Sequence, residues 1–274
     1  MNGLKTGYLG PEGTYSSLAA NKLCADSRLI AYPSFFTLFA ALKSGEVGAI
    51  VLPIENTLNG AVTQNLDLLQ ETEGVYAKAA CAVKIEHRLI TATGCDKSKI
   101  KRIYSHPQAL AQCAKYLALN FPQAKLFETA STAESLDKIK SEEDACIAGA
   151  HCRRNGFELS EHSISDEKKN YTQFLLVENG EPAKDAFSDR IFFTVTCRHK
   201  AGALADLLLI LKENQINITE IESRPIKDKT GEFRFFMEAE GNYADPAVKS
   251  ALEKLEAASH SFKLLGCYVC GLPK

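Results

Sequence analysis

The sequence predicts an α/β protein of two domains, a larger region of alternating strands and helices followed by a small domain. At 274 residues the chain is long enough for two domains of roughly 100–200 residues each. Its first two-thirds alternate strand-like runs with helix-like i, i+3, i+4 patterns, which is typical of βαβ units and a mainly parallel sheet. After a polar segment with Gly and Pro, the order becomes βαββαβ, the ferredoxin-like arrangement.

The larger region is predicted to form two α/β lobes. In the first, a helix capped by Thr14 follows the turn cluster Gly10–Gly13. In the second, residues 105–108 read as a capping box with a proline in the first turn. The predicted strands are Lys5–Leu9, Arg28–Tyr32, Ala49–Ile54, Arg102–Tyr104, Ala145–Ala150 and Tyr171–Val177, and helices are predicted at 15–23, 35–43, 61–69, 108–117 and up to Asn155; a further strand and helix share 125–140.

The predicted boundaries follow from these patterns. The larger region covers residues 1–178, with one lobe at about 1–83 and 170–178 and the other at about 90–165. Residues 178–189 are taken as a linker because they are polar and contain Gly and Pro. The second domain covers 190–271, with strands at 191–197, 217–226, 232–240 and 262–269, helices through 204–211 and 248–255, and a turn at 228–231.

Composition and charge exclude several classes of protein. The formal net charge is −2 and like charges form no long block, so neither nucleic acid nor a membrane surface is an expected partner. No run approaches the roughly 20 apolar residues of a membrane span, and the N-terminus has no secretion signal. Nine scattered cysteines suit reduced thiols in the cytoplasm. Cys267 and Cys270 fall on opposite faces of a strand, so no metal site is expected there.

Three polar clusters each follow a predicted strand and open a helix: Gly10–Thr14, Glu55–Thr57 and Ser105–Gln108. Ligands of open α/β sheets bind at the carboxyl ends of strands, and helix N-termini there favour anions. Any one cluster is explained equally well by residues that only start a helix. Three at the same edge of two lobes predict a cleft that receives a small anionic molecule.

Residue chemistry alone leaves the individual roles open. Asn56 suits a helix cap or a ligand contact, and Glu55 suits a surface carboxylate or a contact in the cleft. Gln108 and Gln112 stack on one side of a helix, where the alternative is a solvated face. His106 in a first turn fits a structural role as well as a catalytic one, and composition alone does not select Thr172.

The chain resembles the prephenate dehydratase family through motifs that occur in the order and at the spacing of that family. They are Gly-Pro-Glu-Gly-Thr-Tyr-Ser at 10–16, Pro-Ile-Glu-Asn-Thr at 53–57, Ser-His-Pro-Gln-Ala-Leu-Ala-Gln-Cys at 105–113 and Asn-Tyr-Thr-x-Phe at 170–174. The C-terminal part resembles the attached ACT domain through Gly-Ala-Leu at 202–204 and Glu-Ser-Arg-Pro at 222–225. Because the chain starts directly at the dehydratase motif, the expected form is the one without a fused chorismate mutase.

The resemblance implies a two-lobed type II periplasmic-binding-protein-like catalytic region, with the active site between the lobes, and an ACT regulatory domain. The catalytic residues it implies are Thr172, Asn56, Ser105, Gln112 and Glu55. The substrate-binding residues are Gly10, Gly13, Thr14, His106, Gln173 and Phe174. The effector, L-phenylalanine, is expected between paired ACT domains of a homodimer or homotetramer, at Gly202, Ala203, Leu204, Glu222, Ser223, Arg224 and Pro225.

The implied reaction is conversion of prephenate to phenylpyruvate with loss of carbon dioxide and the ring hydroxyl, in phenylalanine biosynthesis. Aromatisation supplies much of the driving force, so no cofactor or metal is expected. The enzyme must hold a dianion and assist departure of hydroxide, which the hydroxyl of Thr172 suits. The alternatives are an arogenate dehydratase and a ligand-binding sensor without catalysis.

One position departs from the family pattern, because Gln173 stands where the Thr-Arg-Phe motif has arginine. Arginine offers a charged fork for a carboxylate, whereas glutamine offers neutral donors and an acceptor. Four explanations stay open: another cation takes over, the arginine has a structural role, the site prefers arogenate, or activity is weakened. The candidate cations are Lys168, Lys169 and Arg88.

Overall fold

A computed structural model describes residues 4–182, 187–197, 200–226 and 231–271. Its strands are β1 (Lys5–Leu9), β2 (Arg28–Tyr32), β3 (Ala49–Asn56), β4 (Gly60–Ala61), β5 (Val75–Lys84), β6 (His87–Ala92), β7 (Arg102–Ser105), β8 (Lys125–Glu128), β9 (Asp144–Gly149), β10 (Phe157–Leu159), β11 (Tyr171–Asn179), β12 (Arg190–Thr196), β13 (Ile218–Pro225), β14 (Phe233–Glu240) and β15 (Ser261–Tyr268). Its α-helices are α1 (Tyr15–Leu23), α2 (Phe35–Ser44), α3 (Thr63–Glu71), α4 (Pro107–Gln112), α5 (Ala114–Asn120), α6 (Ala203–Glu213) and α7 (Pro246–Ala258).

The first lobe is built on five strands in the order β5-β11-β3-β1-β2, with the short β4 beside β3. β1 pairs with β2 and β3 in parallel, but β11 is antiparallel to both β3 and β5. β1, β2, β3 and β5 therefore run in one direction, and among these five strands the predicted mainly parallel sheet contains one antiparallel strand, β11. The returning strand β11 enters the middle of the sheet from the second lobe, so its direction is opposite to that of the strands joined by α1 and α2.

The second lobe is a separate five-stranded sheet in the order β10-β6-β9-β7-β8. β7 is parallel to β8 and β9, whereas β6 and β10 run antiparallel to their neighbours. The chain crosses between the lobes at 84–87 and returns at 165–171, close to the predicted crossings. The helix expected up to Asn155 is absent from this described stretch, which forms turns before β10.

Local sequence explains how the first helices begin and end. The hydroxyl of Thr14 accepts the N–H of Ser17 and caps α1, as predicted. Ser34 and Thr37 form a reciprocal capping box at the start of α2, and Gly45 ends that helix in the left-handed conformation. These helices therefore have their apolar faces fixed against β1 and β3, where leucine and isoleucine side chains form the first core.

The C-terminal domain has the predicted βαββαβ order, with its sheet in the order β13-β14-β12-β15. Helices α6 and α7 cover one face of that sheet. The other face contributes Phe192 and Phe236 to the core of the first lobe. The turn predicted at 228–231 lies largely outside the described residues. The sheet of the C-terminal domain thus contributes one face to its own core with α6 and α7 and the other face to the core of the first lobe. The C-terminal domain is therefore packed directly against the catalytic region.

The sheets of the first lobe and the C-terminal domain are continuous, because β15 lies beside β5. Gly266 pairs with Ala77 at this junction. A Cβ atom at Gly266 would lie 2.7 Å from the Cβ of Ala77 and would overlap its carbonyl oxygen. The absence of a side chain at Gly266 therefore permits the close contact between the strands.

We expect Gly266→Ala to lower the free energy of unfolding by about 1–3 kcal/mol, because the added methyl group forces the two strands apart. Urea denaturation measures this change. Gly48→Ala is the matched control, since a Cβ there meets no atom closer than 3.8 Å. Equal stability of the two variants would contradict the close contact described at the domain junction.

Candidate active site

A cleft of about 420 Å³ lies between the two lobes, within the usual size range of small-molecule sites. We call it the interlobe cleft. It is lined by Leu9, Gly10, Thr14, Tyr15, Ser16, Phe35, Pro53, Asn56, Val62, Ile85, His87, His106, Gln108, Ala109, Gln112, Ala130, Ser131, Thr132, Thr172 and Phe174. This lining, taken from the described part of the chain, includes no lysine or arginine. Hydroxyl, amide and imidazole donors and helix N-termini are therefore the groups available to an anion bound there.

Asn56 fixes the hydroxyl of Thr172 in this cleft. The backbone N–H groups of Leu58 and Asn59 both donate to Asn56 Oδ1, at 3.1 Å each. The other atom of the carboxamide is therefore Nδ2, and it donates to Thr172 Oγ1 at 2.9 Å. Because Thr172 Oγ1 accepts this bond, its own proton is available to a ligand. The side chain is buried but borders the cleft, so the arrangement presents an oriented neutral proton donor.

Strand alternation separates four residues that were predicted to act together. In the antiparallel pair of β3 and β11, Thr172 is opposite Asn56 and Gln173 is opposite Glu55. Successive residues of a strand point to opposite faces of the sheet. Thr172 and Asn56 face the interlobe cleft, whereas Gln173 and Glu55 face the C-terminal domain. The predicted placement of Gln173 and Glu55 at the substrate is corrected accordingly.

The third cluster is also arranged differently from the prediction. Ser105 is fully buried at the end of β7, and its hydroxyl donates to the carbonyl of Ile147 at 2.6 Å. His106, not Ser105, is the N-cap of α4, since its Nδ1 accepts the N–H of Gln108 at 3.3 Å. His106 and Gln108 line the cleft, but the Ser105 hydroxyl has its hydrogen bond within the protein and does not line it. The structure thus places Ser105 behind the cleft lining, and its catalytic role stays a prediction.

Residues of the turn after β1 lie on two sides of the lobe: some line the cleft, and Gly13 contacts the second lobe behind it. Gly10 and Thr14 line the cleft, as does Phe174 from β11. The carbonyl of Gly13 instead contacts the second lobe, where it lies 2.9 Å from His151 Nε2 and accepts the thiol of Cys152 at 3.0 Å. Gly13 therefore connects the two lobes behind the cleft and does not line it.

Several cleft residues were not selected from the sequence. Ser131 and Thr132 follow β8 at the carboxyl end of a parallel strand, so the rule that selected the other clusters would have found them. Tyr15 donates to the carbonyl of Glu86 at 2.8 Å and so links α1 to the crossing segment. His87 becomes visible only through its contact with Gln112, which is distant in the chain. Asn170, which begins the motif at 170–174, is fully buried beside the cleft and does not line it.

The candidate replacements for the family arginine do not reach the cleft. The guanidinium of Arg88 donates to the carbonyls of Ser160 and Glu161 at the surface of the second lobe. Lys168 and Lys169 are exposed and do not line the cleft. This geometry favours a structural role for the family arginine over replacement by another cation.

A cluster of carboxylates lies between the domains, on the side of β11 opposite the cleft. Its members are Glu55, Glu220, Glu222 and Glu238. Glu238 accepts hydrogen bonds from Gln173 at 3.1 Å, from Tyr268 at 2.7 Å and from Thr219 at 2.7 Å. Burial, with Glu238 nearby, raises the pKa of Glu55. Burial, together with the neighbouring carboxylates Glu55, Glu238 and Glu222, raises the pKa of Glu220 to about 8. One charged partner is Arg190, whose Nε lies 3.3 Å from Glu238.

This cluster makes stability depend on pH with a defined sign. Because burial and neighbouring carboxylates raise the pKa of Glu220 from its ordinary 4.5 to about 8, the folded protein binds more protons than the unfolded chain between these values. The stabilisation from the protonated Glu220 is complete below pH 4.5 and is lost as the pH rises through about 8. We expect Glu220→Gln to match the wild type near pH 4 and to be more stable by on the order of 2 kcal/mol near pH 9.

Thermal unfolding across that pH range measures the difference between the variant and the wild type, in which titrating groups remote from Glu220 cancel. Glu213→Gln, at the exposed end of α6, is the control and is expected to follow the wild-type curve. A constant difference between Glu220→Gln and the wild type at all pH values would show that Glu220 does not titrate in this way.

A second cavity, of about 590 Å³, lies at the start of α6 and includes Gly202, Ala203, Leu204 and Phe233 in its lining. Gly202, the N-cap of α6, has φ of +81°, a conformation that glycine adopts without strain, and no side chain caps the first turn of the helix. This placement suits the carboxylate of an amino acid. The predicted effector residues at 202–204 therefore share one cavity.

The other predicted effector residues lie on the edge strand β13 and do not line this cavity in the described chain. Arg224 forms a paired salt bridge with Asp67 of α3, with Nη2 at 2.7 Å and Nε at 3.2 Å from the two carboxylate oxygens. Glu222 lies on the same face of β13, whereas Ser223 and Pro225 are exposed on the other. The expected effector contact of Arg224 is thus, within one chain, a contact to the catalytic region.

Comparison with known proteins agrees with this architecture. A model of the prephenate dehydratase family matches residues 6–182, and an ACT domain model matches residues 191–257. A bifunctional chorismate mutase/prephenate dehydratase of Stutzerimonas stutzeri is 35% identical over 271 residues, which cover 97% of this chain and 73% of that protein. A prephenate dehydratase of Amycolatopsis methanolica is 30% identical over 266 residues, covering 95% of this chain and 87% of that one.

Solved structures extend the likeness to the fold. The crystal structure of prephenate dehydratase from Arthrobacter aurescens in complex with L-Phe has a TM-score of 0.88 and 28% identity. The alignment covers 99% of this chain and 92% of that chain. The predicted fold class is therefore confirmed. With a family model matching more than half of its residues, this chain belongs to the prephenate dehydratase family and has a C-terminal ACT domain.

Proposed function

We propose that this chain converts prephenate to phenylpyruvate in the interlobe cleft. The observation that carries the proposal is the hydroxyl of Thr172, which is fixed by Asn56 and has its proton free at the cleft. The reaction requires a proton donor beside a departing hydroxide and does not require a strong base. Family membership supports the same activity.

The bond changes assign simple tasks to the protein. The bond to the ring carboxylate breaks, its electron pair enters the ring, and the bond from the ring to the hydroxyl breaks on the other side. Dianionic prephenate thus gives phenylpyruvate monoanion, carbon dioxide and hydroxide, which takes a proton to become water. Thr172 hydrogen-bonds the departing oxygen, and solvent supplies the net proton, because the pKa of a threonine hydroxyl is too high for full ionisation. Such positioned assistance contributes roughly 10²- to 10⁴-fold.

Neutral groups are well suited to hold this substrate. The N-terminal turn of α1, including Thr14 and Ser16, is directed into the cleft, as are Ser131 and Thr132 from the second lobe. Helix N-termini and hydroxyl groups stabilise carboxylates without a formal positive charge.

The ACT domain supports feedback regulation by phenylalanine. The related Arthrobacter structure holds L-Phe, and the cavity at Gly202–Leu204 offers helix N–H groups for a carboxylate and Phe233 for an apolar side chain. The strand β13 is an edge of the sheet, and Ile221 on it is 45% exposed. An exposed edge of this kind suits pairing with a second chain, so the assembly we propose is a homodimer or homotetramer.

The remaining parts of the proposal concern location and partners. Cys81, Cys113, Cys146 and Cys152 are buried free thiols, which suits the reducing cytoplasm. Among the described residues, no helix is both long and apolar enough to cross a membrane. We infer that prephenate is the substrate and phenylalanine the effector.

The test is formation of phenylpyruvate from prephenate by the purified protein, with arogenate in a parallel assay and phenylalanine added to each. Turnover of prephenate that phenylalanine suppresses is the expected result. Conversion of arogenate in preference to prephenate would replace the proposed substrate. A folded protein that converts neither would refute the dehydratase activity and favour a binding protein.

A further inference from the structure

His87 is the end of a hydrogen-bonded chain that begins at Asn56. Because Asn56 Nδ2 is a donor, the atom of Asn170 that it contacts at 2.7 Å is Oδ1. The other atom of Asn170 is then Nδ2, which donates to Gln112 at 3.2 Å, so the contacted atom of Gln112 is Oε1. His87 Nε2 lies 2.8 Å from this same oxygen and must therefore carry a proton. The backbone thus defines the direction of every bond in the chain.

The surroundings of His87 hold it in one orientation. The side chain is 3% exposed, and Tyr15 contacts it edge to face with ring centroids 6.2 Å apart. Its backbone N–H donates to the hydroxyl of Ser165 at 3.1 Å. Burial lowers the pKa of His87, so the ring is neutral near pH 7 and holds its proton at Nε2. The nitrogen Nδ1 is buried and has no hydrogen-bond partner among the described residues.

The hydrogen bonds from His87 and Asn170 fix the orientation of the Gln112 carboxamide. Its Oε1 accepts from both Asn170 and His87, which occupies both lone pairs of that oxygen. Its Nε2 is buried and lacks a protein partner in the described ranges, although the residue lines the cleft. A flipped carboxamide would place Nε2 against two donors, so the two bonds together exclude the flip. The unpaired amide group is therefore left to donate to a ligand.

We propose that His87 is a positioning residue, which through its Nε2–H fixes Gln112 so that the amide donates to an acceptor oxygen of the bound substrate. This inference rests on the proposed dehydratase function and deepens it. In prephenate, an oxygen of the keto-acid side chain or of the ring carboxylate can accept the hydrogen bond from Gln112 Nε2. An ammonium group at the same place meets a donor, so the arrangement favours prephenate over arogenate.

The first experiment is a double-mutant cycle on kcat/KM for prephenate. We expect His87→Leu to lower kcat/KM on the order of 10-fold, mainly through KM, because Gln112 loses its fixed orientation. His87→Gln, which can again donate to Gln112, is expected to restore most of the loss. In a Gln112→Leu background, His87→Leu is expected to add little, because the two residues act as one unit. Losses that simply add, or no rescue by His87→Gln, would overturn the inference.

A second measurement uses the unmodified protein and does not depend on the folding of a variant. The ¹⁵N chemical shifts of His87 near pH 7 report which ring nitrogen holds the proton. A proton on Nε2 is the expected result, and a proton on Nδ1 alone would overturn the assignment. Wild-type turnover of prephenate is measured first, so failure of the dehydratase proposal is seen separately from failure of the role of His87.

Discussion

Thr172→Ala is expected to lower kcat for prephenate roughly 10²- to 10⁴-fold while the protein stays folded. The variant removes the one hydroxyl that Asn56 fixes at the cleft with its proton free. The methyl side chain leaves Asn56 Nδ2 with Asn170 and the carbonyl of Tyr171 as acceptors, at 2.7 and 3.1 Å, so the local structure retains most of its bonds. Turnover at saturating prephenate, with thermal unfolding of the same sample, measures both parts.

Thr172→Ser is the matched control for this prediction, because it keeps the hydroxyl and removes only a methyl group. We expect the serine variant to stay within about 10-fold of the wild type, since a serine hydroxyl accepts and donates in the same way. Gln173→Ala, one residue further along β11 and facing Glu238, separates loss of the donor from disturbance of the strand. Unchanged turnover of Thr172→Ala would remove this hydroxyl from the mechanism.

Asp67→Asn is expected to retain turnover of prephenate and to weaken its inhibition by phenylalanine. Asp67 accepts the paired salt bridge from Arg224, which belongs to the predicted effector signature on β13. Asp67 lies on α3, and Val62, immediately before α3, lines the cleft with Asn56. A change in β13 upon effector binding therefore has a direct path to the cleft. Since allosteric couplings are typically 5- to 150-fold, the half-inhibitory concentration should rise about 5-fold or more.

Other hydrogen bonds between the C-terminal domain and α3 explain why Asp67→Asn is expected to leave the fold intact. Lys263 donates to the carbonyls of Gln70 and Thr72 at 2.8 and 3.1 Å, at the C-terminal end of the helix, where a cation is favoured. Thr194 donates to the side chain of Gln70 at 2.8 Å. These bonds remain in Asp67→Asn, so the domains stay docked.

Asp26→Asn, at an exposed turn before β2 at the far edge of the sheet, serves as the control for inhibition. It is expected to respond to phenylalanine as the wild type does. Inhibition of Asp67→Asn at the wild-type concentration of phenylalanine would show that the signal does not pass through this salt bridge.

Local sequence was sufficient for much of the fold and for part of the site. The strands β1 and β2 and the helix α1 lie at their predicted bounds, because their apolar periodicity and caps are local. The rule that polar groups gather at the carboxyl ends of strands placed Thr14, Asn56 and His106 at the cleft. The direction of β11 escaped prediction, since it depends on which strands become its neighbours.

The misplaced residues fall into two physical classes. Glu55 and Gln173 adjoin Asn56 and Thr172, and period-two alternation alone already places them on the other face of the sheet. In contrast, the structural bond of Ser105 to Ile147 and the salt bridge of Arg224 to Asp67 join residues far apart in the chain. Such contacts follow from tertiary packing, and the sequence pattern around either residue contains no trace of its partner.

The most direct test of the account is a crystal structure of Thr172→Ala with prephenate bound. We expect the substrate between the two lobes, with its ring hydroxyl facing residue 172 and an acceptor oxygen within hydrogen-bond distance of Gln112 Nε2. Neutral donors from Ser16, Ser131 or Thr132 should contact its carboxylates. Prephenate bound away from this cleft, or with its hydroxyl turned from residue 172, would contradict the assignment of the active site.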